Sequence, residues 1–94
     1  MLEYKLGYFA ESLCGHDKGR LYMIVRIEGD RVGLCDGERR CLAGPKYKKK
    51  KHIQIIRSEC AAQAFEGWIA DGQPDLKIRD AVRSLERRRK ESRR

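Results

Sequence analysis

The sequence predicts a mainly β fold: a small β-barrel of about five strands over residues 1–57, then an α-helical extension over residues 58–94. Three observations predict it. Short runs of aromatic and β-branched residues recur through the first half, each closed by a glycine-bearing turn. Beyond residue 57 the apolar spacing becomes helical. Five short strands packed into about fifty residues also favour closure, since closure removes exposed sheet edges.

The elements follow in order. Tyr8 and Phe9 lead into Ser12-Leu13-Cys14, the first strand. Gly15-His16-Asp17-Lys18-Gly19 interrupts it, with two glycines bracketing polar residues, a turn that needs positive φ at one or both. Leu21 to Ile27 is the second strand and Glu28-Gly29-Asp30 the next turn. Val32 to Cys35 is a short third strand. Asp36-Gly37 is a hairpin signal, returning Arg39-Arg40-Cys41-Leu42 as the fourth. Gly44-Pro45 breaks the chain, the lysines follow as a basic loop, and His52 to Ile56 forms the last strand. Strands this short enclose a filled interior, with no pocket for a small-molecule substrate.

Ser58 is placed to cap a short helix with Ala61, Phe65, Trp68 and Ile69 on one face, although Gly67 weakens it. Trp68 shares that face and reads as a core or docking residue. A firmer helix starts near Pro74-Asp75, where Ile78, Ala81, Val82 and Leu85 form an apolar stripe. Its other face and its end are basic: Arg79, Arg83, Arg87, Arg88, Arg89 and Lys90. Residues 91–94 are expected to fray. The chain has no internal repeat.

The 94 residues carry a net charge of +8, unevenly distributed. Residues 1–44 balance seven basic against seven acidic side chains; residues 45–57 hold six basic groups and no acid. Residues 58–74 contain three acids and no base, and residues 75–94 hold nine basic and four acidic groups. Two positive blocks around an acidic stretch form an electrostatic footprint for a polyanion. No apolar run approaches a membrane span and no signal-peptide pattern opens the chain. A cytoplasmic protein with reduced thiols and no membrane partner is expected.

Several of these features occur together in one known module. Gly7, Gly15, Asp17-Lys18-Gly19-Arg20 and the apolar run through Ile24-Val25 resemble a KOW motif, and the likeness continues through Asp36-Gly37, Arg40, Pro45-Lys46 and His52. It covers roughly residues 5–56 and is similar to the KOW-domain proteins related to large-subunit ribosomal proteins. The unbroken lysines Lys48 to Lys51, and cysteines at Cys14 and Cys41, depart from that pattern. The resemblance implies an SH3-like barrel and contact with ribosomal RNA or the ribosome, including ribosomal proteins.

The residues support the same chemistry on their own. A glycine turn can aim backbone N–H groups at an anion and let a phosphate come close. Lys18 and Arg20 flank that turn, Arg39 and Arg40 follow the Asp36-Gly37 signal, and Lys46, Lys48, Lys49, Lys50 and Lys51 supply the densest charge. Together these are the candidate phosphate ligands. Tyr47, set among the lysines, is the leading candidate for base stacking, with Tyr22 and Tyr8 behind it. The competing reading from another class is a protein-binding SH3-like barrel in the transcription or translation machinery.

Catalysis and metal binding find little support. Cys14, His16 and Asp17 lie on a single turn, with no cleft to bring a nucleophile, a base and an orienting group together. Structural zinc sites pair cysteines two to four residues apart. Cys14, Cys35, Cys41 and Cys60 are all spaced more widely and read as small buried apolar residues. No enzyme activity, cofactor or metal is expected.

Overall fold

The computed structural model describes residues 3–92. Five antiparallel strands form one sheet: β1 (Phe9–Ser12), β2 (Leu21–Glu28), β3 (Arg31–Cys35), β4 (Lys46–Lys49) and β5 (Ile53–Ile56). Their order across the sheet is β4-β3-β2-β1-β5. Two helices follow, α1 (Glu59–Asp71) and α2 (Pro74–Ser92). Among the described residues no helix is long and apolar enough to cross a membrane.

The sheet is strongly curled. β4 and β5 are its two outermost strands, yet only a 3-10 turn, Lys50–His52, joins them. Laid flat, the outer strands of a five-stranded sheet would stand about 19 Å apart, four spacings of about 4.8 Å. A three-residue 3-10 turn advances only about 6 Å. A bulge at Val25 supplies part of the bend, since Ile24 pairs with Leu34 and Arg26 with the very next residue, Gly33. β4 and β5 come together without forming a hydrogen-bonded ladder, so the sheet is curled but not closed.

Each face carries a buried cluster, for a different reason. The inner face holds Ala10, Tyr22, Ile24, Val32, Leu34 and Ile53, contributed by β1, β2, β3 and β5, together with Tyr8 just before β1. The outer face holds Phe9, Leu21, Met23, Val25 and Cys35, covered by Phe65 of α1 and by Ile78, Val82 and Leu85 of α2. Burying each such aliphatic or aromatic side chain contributes about 1.5–3 kcal/mol. Trp68 is half-buried against this outer cluster, as a docking residue would be.

Local chemistry sets the helix ends. Ser58 Oγ accepts from the Ala61 amide at 3.2 Å, so the expected cap is present. α2 opens on Pro74, whose missing N–H costs nothing in the first turn. The helices press on the chain at two glycines just outside the strands, Gly7 before β1 and Gly37 after β3. A β carbon at Gly7 would lie 2.4 Å from Ala62 Cα, and one at Gly37 would lie 2.2 Å from the Asp75 carbonyl oxygen. Those contacts admit no side chain.

Three sequence expectations are corrected. Arg39 to Leu42 is a loop, not a strand, because the Asp36 carboxylate accepts from the amides of Glu38 and Arg40, each at 3.0 Å, and winds the chain around itself. The lysine run is no loop: Lys46–Lys49 is the edge strand paired with β3. Glu91 and Ser92 continue α2 and do not fray there; Arg93 and Arg94 lie outside the described residues.

Candidate nucleic-acid interface

The site is built around a buried acid. Asp17, 6% exposed, lies in the turn between β1 and β2, where Gly15 and Gly19 both take the expected positive φ. Its carboxylate accepts from Ser12 Oγ and Tyr22 OH, both at 2.8 Å. Lys46 Nζ lies 3.0 Å and Lys48 Nζ 3.3 Å from its oxygens. Burial by itself would raise the Asp17 pKa, but the bonds from Tyr22, Ser12 and the two lysines prevail and hold it well below the usual carboxylate range. Burial and the neighbouring carboxylate push Tyr22 upward. Lys48 Nζ also donates to the Cys14 carbonyl at 3.0 Å, tying β4 to the chain just after β1. The cluster therefore ties β4 to β1, β2 and the turn between them.

The turn itself differs from the anion cradle expected of it. The amides of Lys18, Gly19 and Arg20 donate to the carbonyls of Gly15, Ser12 and Asp17 at 3.2, 2.8 and 2.9 Å. They hold the turn together and are not presented to a ligand. Lys18 is exposed at its tip.

The predicted ligands fall into three settings. Arg20, Arg39, Arg40 and Lys46 line one open hollow together with His16, Asp17 and Tyr22. The arginines arrive from the β1–β2 turn and the β3–β4 loop, and the hollow's carboxylate is already matched by Lys46 and Lys48. Lys48, its side chain only 12% exposed, is a brace inside this cluster rather than a group offered to solvent. Lys49, Lys50 and Lys51 surround a second depression with Asp30. Lys50 lies over the Tyr4 ring, 4.6 Å from its centre.

Strand alternation explains the division. Lys46 and Lys48 pair with Leu34 and Val32 and point inward, whereas Tyr47 and Lys49 pair with Gly33 and Arg31 and point outward. Lys46 and Lys49 mark the two ends of β4, about 10 Å apart, so the hollow and the lysine turn adjoin along one strand. Of the three candidate stackers, Tyr8 and Tyr22 are 0% and 4% exposed and cannot receive a base, while Tyr47 is 40% exposed.

Outside the candidate ligands, His16 lines the hollow, and Arg79 and Arg83, from the basic face that the sequence predicts for α2, stand beside it. Arg20 and Arg39 also line a neighbouring depression with these two helix arginines and with Asp36, Glu38 and Glu86. The α2 charges are partly committed, Arg83 to Glu38, Arg79 to Asp80 and Arg89 to Glu11. Arg87 and Arg88 are exposed.

The cysteines are all free, and only Cys35 is buried; Cys41 and Cys60 are exposed and Cys14 half-buried, which corrects the expectation of four core residues. Cys35 Sγ donates to the Arg40 carbonyl at 3.0 Å and faces Asp75 Oδ1 at 3.7 Å; burial pushes its pKa up to about 12. Among the described residues no three His, Cys, Asp or Glu side chains cluster as metal ligands. Asp17, the acid of the turn, is fully engaged by its four partners.

Compared with known proteins, the chain matches no protein-family model and no curated protein.

Proposed function

We propose that this is a non-enzymatic RNA-binding protein acting on ribosomal RNA or on the ribosome. The supporting observation is the hollow: Arg20, Arg39, Arg40 and Lys46, distant in sequence, meet at one surface whose acid is already neutralised. Phosphate contacts of this kind give affinity and orientation without reading sequence. Lys49 and Lys51, about one short strand away, extend the cationic surface along a bound chain.

The same proposal takes the curled sheet as an SH3-like barrel of the KOW type. The strand order, the bulged second strand and the single 3-10 turn between the two outer strands support it. So does the KOW-like sequence from Gly7 to His52.

The test is binding to ribosomal RNA as a function of salt. Engagement of about five cations (Arg20, Arg39, Arg40, Lys49 and Lys51) gives a log-log slope of roughly −3.5. Affinity then drops about a hundredfold between roughly 50 and 200 mM salt. Replacing Arg20, Arg39 and Arg40 with glutamine should reduce the steepness of that slope by about 2. A flat salt response of the unaltered protein, or no binding at low salt, rejects the proposal.

A further inference from the structure

The helices leave part of the sheet's outer face bare. There the strand register sets two rows side by side: Arg26, Gly33 and Tyr47 in one, Glu28, Arg31 and Lys49 in the next. Tyr47 does not stand up from this face. Its hydroxyl donates to a Glu28 carboxylate oxygen at 3.3 Å, and Glu28 belongs to β2, two strands from β4. Two strand spacings are about 9.6 Å, so the ring must lie across β3 to make that bond. Gly33 is what it crosses. A β carbon there would meet Tyr47 Cε1 at 3.3 Å and Arg26 Cβ at 2.8 Å. The ring thus rests on glycine backbone, and the residue still keeps 40% of its surface exposed. Arg26, Arg31 and Lys49 around it are exposed and, among the described residues, form no ion pair.

We infer that the outer face of β2, β3 and β4 is a platform on which one unpaired nucleobase stacks, with Tyr47 as the floor and Arg26, Arg31 and Lys49 holding the adjoining phosphates. This rests on the nucleic-acid reading and sharpens it: the ligand is single-stranded at this point. A base within a duplex has both faces covered by its neighbours and offers the ring nothing, while the phosphates of a duplex would satisfy the cations alone. An aromatic flanked by cations accepts any base, so the platform selects strandedness more than sequence. Gly33 is required because any side chain would lift the ring.

The experiment titrates the full chain with a single-stranded RNA oligonucleotide carrying a fluorescent adenine analogue, and with an RNA duplex of the same length. Tyr47→Leu should weaken the single strand about tenfold and leave the duplex unchanged. Tyr47→Phe, which keeps the ring and drops the Glu28 bond, should bind the single strand within about twofold of the original. Quenching of the analogue by the unaltered protein should be lost in Tyr47→Leu; this reports on stacking even where the variant is less stable. If Tyr47→Leu melts lower but binds and quenches as before, the ring merely shields Gly33 and the inference fails while RNA binding stands. If it loses single strand and duplex equally, stacking is likewise excluded. If the unaltered protein binds neither at low salt, both readings fall.

Discussion

Asp17 holds its charge in a nearly sealed position, and its four partners come from three strands: Ser12 on β1, Tyr22 on β2, Lys46 and Lys48 on β4. Asp17→Asn would keep the shape and leave two lysines without their counter-charge. It should lower stability by about 2–4 kcal/mol in urea denaturation near neutral pH. The folded pKa lies below the unfolded value of about 3.9, so this contribution is complete above that value and is lost as the pH falls toward the folded pKa. Stability curves of the parent and Asp17→Asn should therefore converge on acidification below about pH 4. A gap unchanged at acid pH would show that the cluster holds nothing together. Glu59 adds to the same acid sensitivity: bonds from Tyr8, Lys5 and Arg57 keep its pKa down at about 2.

At the scale of elements, β4 gives alternate lysines different tasks. Lys48→Gln removes a brace and should lower stability by about 1–3 kcal/mol. Lys49→Gln and Lys51→Gln should leave thermal melting unchanged, and each should reduce the salt slope for RNA by about 0.7. Equal effects of all three on melting would contradict the alternation. The Asp36-Gly37 turn tests how α2 is seated. A β carbon at Gly19 (φ 90) would meet nothing within 4 Å, whereas one at Gly37 (φ 80) would strike the α2 backbone at Asp75. Gly19→Ala should cost about 1–2 kcal/mol, from backbone strain alone. Gly37→Ala should cost more than about 3 kcal/mol, because strain and overpacking add. Melting curves of the two variants settle the order.

Much at this scale was legible in the sequence. The β-branched run from Leu21 announced β2, Ser58 announced its cap, and the stripe Ile78, Val82, Leu85 announced α2 and the face it buries. The lysine strand was hidden, since lysine has a weak strand preference and the meaning of Lys46 and Lys48 depends on an acid thirty residues earlier. Asp36-Gly37 misled because the aspartate side chain bonds the amides of Glu38 and Arg40, spending on a wound loop the donors a hairpin would need. The hollow was half-visible: its arginines could be named, but their meeting with His16 depends on the curl. Of the platform only Tyr47 was legible, as a candidate stacker; its surroundings were hidden, because the bulge at Val25 decides that Arg26 shares a face with Gly33 and Tyr47.

Across the whole molecule, sheet and helices build the outer cluster together. Phe9, Leu21, Met23, Val25 and Cys35 would stand bare without Phe65, Ile78, Val82 and Leu85, so the segment read as an extension is half of the outer cluster. The seating of α2 also organises charge. Arg83 and Arg89 reach back to Glu38 and Glu11, which places the helix's basic row beside the arginines of the hollow. Arginines thereby continue from the β1–β2 turn onto the helix, interleaved with the carboxylates of Asp36, Glu38 and Glu86.

The placement of Cys35 turns that seating into something a chemist can time. Its thiol is shut between the end of β3 and the first turn of α2, while Cys41 and Cys60 stand in the open. An alkylating reagent should consume the two open thiols promptly and reach Cys35 only in the moments when the helix lifts, so the slow phase measures how often the lid of the core opens. Gly37→Ala should quicken that phase and leave the fast one untouched. Uniform reactivity of all four thiols would mean that the helix spends its time undocked.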